Sequence, residues 1–204
     1  MLNRLLALCA LACLAISGVA YAVTLNGTPG EDNLFGTTRS DILDGKAGED
    51  IIFGLSGNDL LKGGSGGDTI HGDATCPAGS MDPNACRQTR GFGNDTIQGG
   101  PGDDVIAGGN GRDRISGDSG EDNIQGGNGK DKIDGGSGND AIYGQDGADH
   151  ITPGSGRDTV TAGDGDDTVF ARDRSRDKID CGSGRDTVYV NSGDTTRRCE
   201  RVRR

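Results

Sequence analysis

The chain has 204 residues, of which 39 are glycine, 31% are apolar, 3% are aromatic and none is tryptophan; so few core-forming side chains argue against an ordinary globular domain held by burial alone. Thirty-two acidic residues against 21 basic ones give a formal charge of -11, which argues against nucleic acid and anionic lipid as partners and favours cations.

The first segment in chain order covers residues 1–22. Met1-Leu2-Asn3-Arg4 carries one positive charge, Leu5 to Val19 is apolar, and Ala20-Tyr21-Ala22 has the small-x-small form of a cleavage site. This predicts a secretory signal, with the remainder secreted to the extracellular space and not inserted in a membrane. The apolar run is short for a span, and Ala10-Leu11-Ala12 is a poor lipidation context for Cys13. Cleavage removes Arg4, Cys9 and Cys13, taking the formal charge from -11 to about -12 and leaving Cys76, Cys86, Cys181 and Cys199. An even number of cysteines in an exported chain predicts two disulfides.

From residue 27 onward an aspartate recurs at a nine-residue period: Asp32, Asp41, Asp50, Asp59, Asp68, then Asp95, Asp104, Asp113, Asp122, Asp131, Asp140, Asp149, Asp158, Asp167, Asp177 and Asp186. Glycine stands two residues before each in all but two of the sixteen units, where Arg39 and Ser175 replace it. Two residues after each is always Leu, Ile or Val, from Leu34 and Leu43 through Ile133 and Ile142 to Ile179 and Val188. The consensus is G-G-x-G-x-D-x-U-x, with U aliphatic, and sixteen copies in phase make the signal highly specific.

These nonapeptides resemble the RTX, or hemolysin-type, calcium-binding repeat family, over about residues 27 to 189 apart from one insertion. The resemblance implies an all-β fold, a parallel β-roll that is a calcium-binding β-solenoid, with GGxGxD forming a turn and xUx a short strand. Successive units would lie on opposite faces, two nonapeptides per turn, with Ca2+ held between neighbouring turns on one side. All sixteen aspartates except Asp41 and Asp177 are then candidate metal ligands.

The residue types suit that chemistry. Glycine supplies backbone angles that a side chain with a Cβ avoids. Calcium is a hard cation taking six to eight oxygens, which carbonyls and carboxylates provide. Same-side turns would stack about 4.8 Å apart, bringing Asp131 near Asp149 and Asp140 near Asp158, where bare carboxylates repel. One buried aliphatic residue per nine cannot offset the ordering of a glycine-rich unit. The chain is therefore expected to be unfolded without metal and to fold as calcium binds, after export to a compartment where modules of this kind are tuned to about 10⁻⁴–10⁻³ M calcium.

Three places break the pattern. Between Asp68 and Asp95 there are eighteen extra residues, and 75–90, "TCPAGSMDPNACRQTR", is expected to leave the roll as a surface loop closed by Cys76 and Cys86. This divides the roll into 23–74 and 91–189. The ten-residue unit "ARDRSRDKID" at Asp177 and the unit "GTTRSDIL" at Asp41 have lost turn glycines, which predicts weak or vacant sites there. The motif fades over 190–204 into a cap and basic tail. Cys181 and Cys199 are eighteen residues apart, so continued winding would stack them within disulfide reach. Four cysteines allow three pairings, and local pairing is the one expected.

Other motifs are absorbed by the repeat. "GDSG" at 117–120 and the G-x-S-x-G at 63–67 lie in phase with it and lack the strand-to-helix elbow a nucleophile needs. His71 and His150 flank aliphatic positions and are expected to point outward, so no enzymatic centre is expected. "DGDD" at 164–167 has no closing glutamate for an EF-hand, and the sequons at Asn26 and Asn94 fall in turns. The expected function is a secreted calcium-binding protein with a structural or extracellular-matrix role. The alternative is an adhesin-like surface-interaction protein, binding carbohydrate, ice or a cell-surface or matrix component through its outward strand faces. Those faces hold Thr69, Thr96, Thr159, Thr168 and Thr187, but also Arg114, Lys132, His150 and Lys178.

Overall fold

In the computed structural model, residues 21–73 and 92–204 are described. Residues 1–20, most of the expected signal segment 1–22, and the expected loop 75–90 with its Cys76–Cys86 pair lie outside the described residues. Ten strands form one parallel sheet: β1 (Thr24–Asn26), β3 (Ile42–Ala47), β5 (Leu60–Ser65), β7 (Thr96–Pro101), β9 (Arg114–Ser119), β11 (Lys132–Ser137), β13 (His150–Ser155), β15 (Thr168–Ala171), β17 (Thr187–Val190) and β19 (Arg201–Arg203). Nine form the other: β2 (Asn33–Phe35), β4 (Ile51–Leu55), β6 (Thr69–Asp73), β8 (Val105–Gly111), β10 (Asn123–Gly129), β12 (Ala141–Asp146), β14 (Thr159–Asp164), β16 (Lys178–Ser183) and β18 (Thr195–Arg197). The chain alternates between sheets at every unit, so the fold is a parallel β-roll of about nine turns.

Register follows the repeat. Ile124 pairs with Ile106 and Ile142, and Ile133 with Ile115 and Ile151. Because a strand presents alternate residues to opposite faces, each aliphatic U residue points inward, and the sixteen of them run as two facing rows that are almost wholly buried. Most strands are longer than the three residues of xUx: β11, for example, extends from Lys132 through Gly135-Gly136 to Ser137. Identical turn residues stack on one another, so the first half of the turn joins the ladder as well.

A second inward position, four residues after each aspartate, changes along the chain. It is glycine up to Gly144 and then becomes Pro153, Ala162 and Cys181, with Ala171 and Val190 also entering the core. The C-terminal turns therefore bury two apolar side chains per strand instead of one. Cys181 and Cys199 are joined, with Cα atoms 5.1 Å apart, which pins the last turn to the one before it as the eighteen-residue spacing predicts.

Despite the insertion, β6 and β7 are consecutive strands on opposite sheets, and β5 pairs directly with β7. Among the described residues no turn intervenes between these strands and their partners. Asp73 ends β6 and lies beside Leu55 in register; Phe92, Gly93 and Asn94 then lead into Asp95.

Candidate metal centre

The turn aspartates form two columns. One runs Asp32, Asp50, Asp68, Asp104, Asp122, Asp140, Asp158, Asp177, Asp194; the other runs Asp41, Asp59, Asp95, Asp113, Asp131, Asp149, Asp167, Asp186 and ends at Glu200. Within each, the backbone N–H of one acidic residue donates to a carboxylate oxygen of the next. Asp113 donates to Oδ1 of Asp131 at 2.9 Å, and Asp131 to Oδ1 of Asp149 at 2.8 Å. The columns cross the insertion without a gap, Asp59 donating to Asp95 and Asp68 to Asp104. Sequence reasoning gave the proximity of these carboxylates but not this bond, which fixes one oxygen of each and leaves the other to its surroundings.

That other oxygen is the unusual feature. In Asp50, Asp59, Asp68, Asp95, Asp104, Asp113, Asp122, Asp131, Asp140, Asp149, Asp158, Asp167, Asp177 and Asp186, Oδ2 is buried with no hydrogen-bond partner. A buried polar atom normally has one, and a buried carboxylate without compensation is costly. Ion pairs join Lys46 to Asp44, and Asp180 to Arg197 and Arg198; none of them touches a turn aspartate. Burial consequently pushes these acids up: Asp131 and Asp140 to about 6, Asp59, Asp104 and Asp167 to about 7, and Asp95 to about 8, with neighbouring aspartates adding repulsion. The column N–H bonds pull the other way and do not win.

The surroundings of Oδ2 are rich in oxygen. Five residues before Asp131 lies Gly126, where a Cβ would come within 2.8 Å of both Asp131 Oδ2 and the carbonyl oxygen of Gly144 in the next turn. The same convergence of carboxylate and carbonyl recurs at Gly27, Gly36, Gly45, Gly54, Gly63, Gly99, Gly108, Gly117, Gly135 and Gly144, and at Gly72 for Asp95 across the insertion. Glycine is needed there because the space belongs to oxygens. Among the described residues, no three His, Cys, Asp or Glu side chains converge as a metal cluster, so a cation held here takes backbone carbonyls with its carboxylates. That donor set fits a hard cation such as Ca2+ and is unsuited to a soft one.

The profile of one protein family, described as the RTX calcium-binding nonapeptide repeat (4 copies), matches residues 26–61, 53–74, 90–124, 116–151, 125–160 and 143–173. The chain belongs to this family. A search of curated proteins returns no match. RTX repeats bind calcium as a class, and the aligned buried aspartates of this roll are consistent with that ligand.

The turns differ in ways the repeat phase did not reveal. Of the fourteen expected ligands, thirteen carry an unpartnered Oδ2. In Asp32 that atom instead accepts from the N–H and hydroxyl of Thr28. Asp41 is satisfied similarly by Thr37. Asp177 occupies its column despite the ten-residue unit, with Oδ2 unpartnered. Asp73, outside the aspartate phase, is buried, accepts from the N–H of Asn110 at 2.8 Å and leaves Oδ1 unpartnered; it is pushed up to about 6 by burial. The change from glycine to Pro153, Ala162 and Cys181 five residues before Asp158, Asp167 and Asp186 was visible as a departure from consensus and was missed. His71 stacks on Phe53 and His150 packs on Phe170. Both belong to strand-face ladders, which continue through Phe35 and Tyr189.

Proposed function

We propose that this RTX-repeat chain is a secreted structural protein whose roll is completed by calcium held between stacked turns, in an extracellular or matrix setting. The observation that carries the reading is the double row of buried carboxylates with one oxygen unpartnered beside a carbonyl of the next turn. Asp50, Asp59, Asp68, Asp95, Asp104, Asp113, Asp122, Asp131, Asp140 and Asp149, whose turns keep glycine at the crowded position and whose Oδ2 is also unpartnered, would hold the ions. Calcium supplies positive charge between like charges and accepts several oxygens at once. The residues themselves fix spacing through the column N–H bonds.

Secretion is supported by the signal pattern of residues 1–22. The adhesin alternative is disfavoured by the outward row of the ten-stranded sheet, where Arg114, Lys132 and His150 separate Thr96 from Thr168 and Thr187. Among the described residues no helix is long and apolar enough to cross a membrane.

Isothermal titration of the full chain with calcium, and with magnesium as control, tests the binding. Several calcium ions per chain and little magnesium uptake are expected; no calcium uptake at millimolar concentration refutes the reading. Export of a reporter fused behind residues 1–22 tests secretion, and retention of the reporter inside the cell contradicts that part.

A further inference from the structure

The two columns begin and end differently from their middles. At the N-terminal end, Asp32 Oδ2 accepts from the Thr28 N–H at 2.5 Å and its hydroxyl at 3.0 Å. Asp41 Oδ2 accepts the corresponding pair from Thr37, at 2.5 Å and 3.0 Å. At the C-terminal end, Asp194 Oδ2 accepts the N–H of Asn191 at 2.6 Å, while its Oδ1 takes the N–H of Asp177. The fourteen unpartnered Oδ2 atoms all lie between these ends.

The deciding position is four residues before the aspartate. In most inner turns it holds glycine at positive φ, as at Gly127 (φ 113°) before Asp131, or a residue forced there, as at Lys46 (φ 85°) and Gln145 (φ 75°). Thr28 and Thr37 do not have positive φ, a region that β-branched residues avoid. Their N–H groups stay aimed at the carboxylate, and each hydroxyl adds a second charge-assisted donor. The turn of Asp177 carries Asp173 at this position, with no hydroxyl to donate, and Asp177 Oδ2 stays unpartnered.

We infer that Thr28 and Thr37 are built-in substitutes for the cation: the Asp32 and Asp41 turns are capped by protein donors and take no calcium, so that metal binding is confined to the inner turns. This rests on the calcium reading proposed above. The carbonyl of the next turn stands beside these carboxylates as it does in the inner turns, Gly45 O at Gly27 and Gly54 O at Gly36, so the terminus can be closed either by the threonine donors or by an ion. A threonine cap satisfies the terminal carboxylate without one.

The test counts calcium per full-length chain by equilibrium dialysis at saturating calcium. Asp32→Asn and Asp41→Asn are expected to leave the count unchanged, whereas Asp131→Asn lowers it. Thr37→Gly, which permits positive φ and removes the hydroxyl, is expected to add one ion; Thr37→Val, which keeps the β-branch and the N–H, adds none. A loss in Asp32→Asn or Asp41→Asn equal to that in Asp131→Asn overturns the inference while leaving calcium binding standing, and so does a Thr37→Gly chain that gains nothing. A parent chain that takes up no calcium sinks the functional reading and this inference together. Hydrogen exchange on the calcium-loaded parent needs no substitution: the Thr28 and Thr37 amides should exchange slowly, and exchange at the rate of an open amide contradicts the cap.

Discussion

Replacing Asp131 by Asn removes one charge from the middle of a column and nearly preserves its shape, which separates an electrostatic role from a purely architectural one. The Asn oxygen still accepts the N–H of Asp113, and the residue 131 amide still donates to Asp149. Neighbouring carboxylates about 4.8 Å apart, the strand spacing, repel by about 1 kcal/mol in water and about 3.5 kcal/mol at an effective dielectric near 20. Without metal, Asp131→Asn should therefore make the roll more stable, by about 1–3 kcal/mol. With calcium the sign reverses: an anionic ligand is gone, and the lost charged contact costs about 1.5–3 kcal/mol, or roughly a ten- to hundredfold rise in the calcium midpoint. The assay is far-UV circular dichroism at pH 7.5, run once as a calcium titration and once in chelator with increasing trimethylamine oxide, which favours burial. If the variant is weakened equally in both, or if its calcium midpoint does not move, the columns are ordinary hydrogen-bonded structure and the electrostatic argument is wrong.

Acid should act in opposite directions with and without metal. Burial raises the folded-state values of Asp59, Asp104 and Asp167 to about 7 and of Asp95 to about 8, from an ordinary 3.8, so the metal-free roll binds more protons than the unfolded chain between those limits. Its stability is fullest below about pH 4 and is lost as pH rises through 6–8; β-structure in chelator should increase from pH 8 to pH 5, and a decrease would contradict the burial argument, while the calcium midpoint should rise over the same range because protons compete for the ligands. Reducing Cys181–Cys199 opens a loop of eighteen residues and should cost about 3 kcal/mol, read by hydrogen exchange as loss of protection centred on β18 and β19. Gly129→Ala places a Cβ against the carbonyl oxygen of Gly111 at a φ of 146°; strain of about 1–3 kcal/mol from the backbone alone should raise the calcium midpoint severalfold, and an unchanged midpoint would show that the turns do not stack as described.

The architecture was largely legible because one period governs everything. An aliphatic residue two after each aspartate fixed both the inward face and the register, as Ile124 against Ile142 shows, and the eighteen-residue spacing placed Cys181 on Cys199. What the period could not convey is variation at positions treated as interchangeable. Threonine at 28 and 37 reads as a neutral replacement in a turn, yet its hydroxyl and its avoidance of positive φ change what the aspartate four residues later needs. Asp177 reads as a damaged unit, yet the extra residue is absorbed and its carboxylate keeps its place in the column. Asp73 was invisible because it lies outside the aspartate phase; the β6 register, which sets it beside Leu55, brings it near the column, where it adds to the repulsion on Asp59, Asp95 and Asp113.

In the function proposed here, cations between stacked carboxylates supply cohesion that so glycine-rich and apolar-poor a chain lacks. Hydrogen exchange of the full chain, in excess chelator and then in about 10 mM calcium (about ten times the upper tuning of extracellular modules), decides it. The account predicts little amide protection in β3 to β14 in chelator and strong, cooperative protection in calcium. Equal protection of those strands in both conditions would contradict it.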